Sequence, residues 1–269
     1  MAEFTQLQRA CPLFAWSVHS NLAETTMTDN RINVYKAWDI PTRLFHWINF
    51  LCVITLSFLG LVMLNKSAIG ISGNEARIGL KILHVTVGYV FAINLVVRLI
   101  WGFVGGRYSR WTTLFPGKNF KRELGAYKAS IKSDSPQTFI GHNPKGRLSV
   151  LVLLLLLTVM MFTGMIRAGT DIYYPPFGHI FASQVAAEGI SPSQIKPYDK
   201  TGTNADRLAE LQALKKPFGM VHIYGAYILW LLILVHLVAV IRVETKGQGT
   251  LISAMFSGKK HLPREPEDQ

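Results

Sequence analysis

The sequence predicts an all-α integral membrane protein: a four-helix bundle with N- and C-termini cytoplasmic and a long exported loop between helices 3 and 4. Three observations predict it. Of 269 residues, 49% are hydrophobic and only 16% charged, a balance too apolar for a soluble domain of this size. Four windows, Leu44 to Leu64, Leu80 to Phe103, Leu148 to Ile166 and Gly219 to Ile241, approach the roughly 20 residues of helix that cross a bilayer core of about 30 Å. Lysine and arginine are also distributed unevenly between the connections, and that bias sets orientation.

Residues 1–33 are polar and rich in Thr and Asn, and are expected to form a disordered tail. "CPLFAW" is too short for a signal-peptide core, so the first span is expected to act as an uncleaved signal. The only cysteines are Cys11, in this tail, and Cys52, inside the first window. They are not expected to pair. Without a C-x-x-C, zinc ribbons, thioredoxin chemistry and covalently attached haem are disfavoured. Residues 34–259 are expected to form the membrane domain and residues 260–269 a C-terminal tail.

Between the second and third windows, Val104 to Arg147 holds nine basic residues against Glu123 and Asp134 alone, which predicts a cytoplasmic loop. "NFKRELGAYKASIK", Asn119 to Lys132, reads as an amphipathic helix lying on the anionic lipid surface. In "GHNP", Gly141 to Pro144, His142 precedes an Asn-Pro pair that suits a turn starting the third span. The net charge of +12 is accordingly assigned to membrane anchoring and not to nucleic acid. The connection from Arg167 to Pro217 carries six basic and five acidic residues and lies on the opposite, exported side. Its length predicts a small folded cap, ending in a short helix, "TNADRLAELQALKKP", that Pro217 stops.

Eight histidines are present, and His46, His84, His222 and His236 fall within the windows. A single intramembrane histidine can simply hydrogen-bond a neighbouring helix, but these four form a pattern. Fourteen residues return His236 to within about 40° of His222 and about 21 Å further along the helix. The alternating direction of the spans then matches depths: His46 with His236 near the cytoplasmic side, His84 with His222 near the exported side. Two imidazole pairs at two depths are what two bis-histidine haems need. A zinc or copper site gathers three or four ligands at one depth.

Small residues could give a porphyrin room beside its ligands: Gly88 four residues after His84, Gly225 three after His222, Gly60 fourteen after His46. Glycine is also frequent in membrane helices generally. Arg43 and Lys81, each three residues before a histidine, and Arg98, fourteen after His84, suit either propionate pairing or snorkelling to the interface.

"WDIPTRLFHW" from Trp38, "LHVTVGYVFAINLVVRLIWGFVGGRYSR" from Leu83, "GHNP", the H-x13-H of the fourth span and "TLISAMFSGKK" from Thr250 together resemble the bacterial di-haem cytochrome b family, which includes the cytochrome b subunit of nickel-iron hydrogenases. The resemblance covers about Tyr35 to Lys259. It implies a multi-pass protein of the bacterial inner membrane with two haem b groups, in which His46, His84, His222 and His236 are the iron ligands. It implies respiratory electron transfer between the quinone pool and an exported redox partner, either a c-type cytochrome or a hydrogenase small subunit. In the latter case the chain is a hydrogenase subunit and membrane anchor. Trp47, Trp101, Tyr173, Tyr174 and Tyr224 are aromatic candidates for a quinone pocket or for the interfacial belt. The rival from another class is a haem-free anchor or transporter whose histidines relay protons or bind a metal.

Overall fold

The computed structural model describes residues 33–133 and 135–269. The tail expected over residues 1–33 lies outside them except for Asn33, as does Cys11. Asn33 opens a strand, β1 (Asn33–Lys36), which pairs antiparallel with β2 (Lys259–Leu262), Asn33 facing Leu262 and Lys36 facing Lys259. This ribbon is the one pair of strands among the described residues; the other elements are helices, as expected.

The first span, α1 (Ile40–Leu64), begins where Asp39 caps it, its carboxylate accepting the Thr42 N–H at 3.0 Å with Pro41 in the first turn. That placement follows from two rules: a short acidic side chain satisfies an orphan amide, and proline has no amide to orphan. The other Asp39 oxygen accepts from Trp101 Nε1 and Gly106 N, both at 3.0 Å, and from Ser109 Oγ at 3.4 Å. Asp39 thereby ties the start of α1 to the end of α2 (Asn74–Val104). Burial alone raises the Asp39 carboxyl, but the hydrogen bonds from Thr42, Trp101 and Gly106 outweigh it and hold the group below its usual range. A lowered folded value means stability present above the unfolded value of about 3.9 and lost as pH falls through the folded one. Asp39→Asn keeps the cap but loses the second charged acceptor. It is expected to cost about 1–3 kcal/mol and to flatten the acid limb of the thermal-unfolding profile in detergent below about pH 4.

After α2 come a one-turn helix α3 (Trp111–Leu114) and α4 (Phe120–Ser130), the predicted amphipathic segment. The third span is α5 (Pro144–Ile172), capped by Asn143, whose Oδ1 accepts the Gly146 N–H at 2.7 Å. The Asn-Pro start read from the sequence is therefore what forms. The cap of the α5–α7 connection contains α6 (Gly178–Val185), whose Ala182 and Val185, with Ile195 from the following loop, pack against Leu211 of α7 (Ala205–Thr245).

The short helix stopped by Pro217 is corrected: α7 runs unbroken for 41 residues with Pro217 inside it. Proline removes one backbone bond, leaving the Ala213 carbonyl without its i+4 donor, but Ala213 is exposed, so water can supply the bond. Asn204 caps one end by accepting from Asp206 N and Arg207 N, each at 3.1 Å, and the apolar run holds the other. A short α8 (Leu251–Ser257) then leads into β2.

The four spans pack in the order α1–α2–α5–α7, with Trp230 Nε1 of α7 donating to Ser57 Oγ of α1 at 2.8 Å across the remaining side. Their shared core is Cys52, Phe91, Leu95, Leu154, Leu157 and Leu229. Cys52 is buried with a free thiol. Outward, Phe58, Ile93, Leu155 and Leu231 are exposed, the apolar belt that hydrocarbon covers. One end of the bundle, the terminal face, carries the ribbon, α3, α4 and α8; the other, the cap face, carries α6.

Residues 260–269, expected as a tail, fold back onto the terminal face. Lys260 Nζ is buried and donates to the Phe139 carbonyl at 2.6 Å, and the Asp268 carboxylate accepts from Ile140 N at 2.7 Å and Gly141 N at 2.8 Å.

Candidate functional site

On the cap side, His84 of α2 and His222 of α7 face one another with ring centres 6.3 Å apart and ring planes at 73°. Two imidazoles bonded through nitrogen to opposite sides of one metal ion, at about 2.0–2.1 Å each, hold their ring centres about 6 Å apart. The rings are thus too far apart to stack closely and suitably spaced to share an ion.

They stand in a mostly apolar cavity of about 380 Å³ bounded by all four spans, a size in the range of cofactor sites. Backbone recedes beside each ring. A Cβ on Gly164 of α5 would lie 3.3 Å from His222 Cε1, and one on Gly60 of α1 would lie 4.0 Å from His84 Cε1. His222 Nδ1 is 2.9 Å from Thr163 Oγ1, whereas His84 Nδ1 is buried without a partner.

The cavity mouth is cationic. Asp171, near the end of α5, takes Lys81 at 2.6 Å, Arg167 at 3.0 Å and Lys215 at 3.2 Å, so one carboxylate offsets only part of three charges. Lys66 and Arg77 line the same cavity, and Arg77 Nε is buried without a partner. Tyr198 of the cap places its ring 5.1 Å from Lys81 Nζ. A greasy cavity with surplus positive charge at its rim fits an apolar macrocycle bearing carboxylates.

Toward the terminal face, His46 and His236 lie within electrostatic reach of each other. Among the described residues, several buried polar atoms of α1 and α2 toward this end have no hydrogen-bond partner: His46 Nδ1, Asn49 Oδ1 one turn on, Arg98 Nη1 and Arg43 Nε. Arg98 is 4% exposed, beside Phe45 and Trp111 at 6.0 and 5.7 Å. Unsatisfied groups of this kind are rare in native interiors, and four together suit a further polar cofactor. Elsewhere Arg43 donates to the Phe256 carbonyl. His142 packs on Trp38 with ring centres 4.7 Å apart. Burial, with Lys260 and Arg98 nearby, pushes its imidazole down to about 3 and keeps it neutral. Among the described residues no three His, Cys, Asp or Glu side chains gather as a metal cluster.

The other sequence candidates divide. Gly88 lines the cavity with open space where a Cβ would stand, but Gly225 faces α5, where a Cβ would lie 2.8 Å from Met160 Sδ. Lys81 is at the mouth, already paired to Asp171. Trp47 and Trp101 donate to the Met255 carbonyl and to Asp39, bonds that hold the terminal face together, while Tyr224 is exposed. Thr163, Gly164, Arg77 and Asp171 went unnoticed in the sequence. The Thr-Gly pair inside the third span and a lone aspartate flanked by Arg167 were the available signals.

Comparison with known proteins gives the arrangement its context. A probable Ni/Fe-hydrogenase B-type cytochrome subunit of Rhizobium leguminosarum bv. viciae is 24% identical over 94% of this chain and its own full length. One of Azotobacter vinelandii is 26% identical over 87% of this chain and 90% of its own length. In Escherichia coli (strain K12), a probable Ni/Fe-hydrogenase 1 B-type cytochrome subunit is 29% identical over 51% of this chain and 61% of its own length. The family model described as prokaryotic cytochrome b561 matches residues 37–258, from the ribbon's end to the residue before β2. With four membrane-spanning helices and histidines paired within them, the chain belongs to the prokaryotic cytochrome b561 family, as a haem-b-binding, electron-transferring, multi-pass protein of the bacterial inner membrane.

Proposed function

We propose that the chain holds two b haems, one between His84 and His222 and one between His46 and His236, and relays electrons between the quinone pool and a redox partner at the cap face. The observation that carries this reading is the 6.3 Å separation of the His84 and His222 rings inside a cavity with a cationic rim. The nine basic residues from Val104 to Arg147 support a cytoplasmic terminal face and an exported cap face.

Haem held between His84 and His222 would supply one-electron chemistry, and two imidazoles committed to holding it would favour outer-sphere electron exchange over binding of a further ligand. The residues of the chain do the rest. His84 and His222 present nitrogens from facing helices, while Arg77, Lys81 and Arg167 supply charge for propionates at the cap-side mouth. Arg98 and Arg43 do so toward the terminal face. The core of Cys52, Phe91, Leu95 and Leu157 excludes water between the two levels.

The relatives' names favour a Ni/Fe-hydrogenase as the exported partner over a c-type cytochrome. In that reading the chain is the hydrogenase's cytochrome subunit and membrane anchor, passing electrons from its iron-sulfur subunit to quinone.

Purified with haem available, the protein is expected to be red, with two haems per chain by pyridine haemochrome assay, and to be reoxidised by a soluble quinone analogue after reduction. A colourless preparation would instead favour a haem-free anchor or transporter, and a reduced protein inert to quinone would remove the quinone assignment. Hydrogenase subunits co-purifying from the native membrane would decide between the two partners.

A further inference from the structure

Resting on the bis-histidine reading of the cap-side site, we infer that Thr163 is a positioning residue for His222, fixing its tautomer so that Nε2 is the nitrogen offered to iron. Thr163 is 6% exposed, inside α5, and its hydroxyl has a single proton. That proton is committed to the helix: Oγ1 donates to the Val159 carbonyl at 2.8 Å, with the Met160 carbonyl next nearest at 3.2 Å. What Oγ1 has left is a lone pair, and His222 Nδ1 lies 2.9 Å from it. With the hydroxyl proton so placed, the contact forms with the imidazole proton on Nδ1. A neutral imidazole protonated at Nδ1 has its free lone pair on Nε2.

Gly164 completes the seat. A Cβ there would come within 3.3 Å of His222 Cε1, so the Thr-Gly pair grips one edge of the ring with a hydroxyl and leaves room for the next. His84 has no such support, since its Nδ1 is buried without a partner. The two ligands of the cap-side site are therefore unequal: one anchored and made more electron-donating by its hydrogen bond, the other without a hydrogen bond at Nδ1. A more basic axial imidazole stabilises the oxidised ion, which lowers the reduction potential of that site.

Redox titration of the purified haem-loaded protein tests this in Thr163→Val, which keeps the shape and loses the hydroxyl, and in Thr163→Ser, which keeps the hydroxyl. One midpoint potential is expected to rise in Thr163→Val by about tenfold in the equilibrium constant, about 59 mV for a one-electron couple, with the other unmoved. Thr163→Ser should hold both at their starting values. If Thr163→Val loses one of two haems while Thr163→Ser retains both, the hydroxyl is again the group that matters. Unmoved potentials in a fully loaded Thr163→Val, or equal shifts or haem losses in both variants, overturn the inference. Wild-type protein lacking two haems tells against the underlying reading instead.

Discussion

Replacement of His222 by alanine is expected to lower the haem content of the purified protein from two per chain to one, leaving the spectrum of the remaining haem intact. The expectation follows from separation. His222 and His236 stand on one helix fourteen residues apart, about 21 Å along its axis, so the loss of one imidazole cannot reach the other level directly. Alanine is the best helix former, and α7 is held by its Asn204 cap and its long apolar run, so the helix should survive. His84→Ala should give the same single-haem protein, and the double variant should lose nothing more, because both changes dismantle one site. Adding His236→Ala to His222→Ala should remove the second haem. Pyridine haemochrome assay against chain concentration measures all four. A His222→Ala protein with two haems, or a single variant with none, would sink the pairing of His84 with His222.

The depths of the four histidines are legible in the sequence because depth in a membrane is nearly a one-dimensional quantity. Span limits, helix rise and alternating direction fix it with no knowledge of how the helices rotate about their axes. What depended on rotation was not legible. Gly225, three residues after His222, points at Met160 of α5, while Gly164, in a different span, is the glycine beside the His222 ring. Lys81 sits one turn before His84, as its spacing suggested, yet its nearest partner is Asp171 from α5, a contact that no local spacing encodes.

Local rules failed differently at Pro217. The missing amide suggests a stop, but a proline inside a helix costs about 3 kcal/mol, and a 41-residue helix anchored at both ends can absorb that where its freed carbonyl meets water. The fold-back of residues 260–269 was hidden for a related reason. Lys260 and Asp268 are charged and look solvated in sequence, and only the approach of residues 139–141 gives them carbonyls and amides to bind.

Arg98→Leu is expected to separate two quantities that usually move together, haem content and the stability of the empty protein. Arg98 is almost fully buried with Nη1 unbonded, and the Asp39 carboxylate, within electrostatic reach, is already shared among four donors. A buried charge left partly unpaired is costly, and replacing such a group by an apolar one of similar volume is often neutral or stabilising by about 1–4 kcal/mol. Its rings at Phe45 and Trp111 return only about 0.5–2 kcal/mol each. In protein made under haem limitation, Arg98→Leu should therefore unfold at the same temperature as wild type or above it. Loaded protein should behave in the opposite sense: without the guanidinium, the His46/His236 site loses its charge partner, and haem affinity there should fall about 10- to 100-fold while the cap-side haem stays. If Arg98 served only to brace Asp39 and the terminal face, the empty variant would melt earlier and still take up two haems. The two outcomes differ in both measurements, so thermal unfolding of the empty protein and haem titration together assign the buried arginine to the cofactor or to the scaffold.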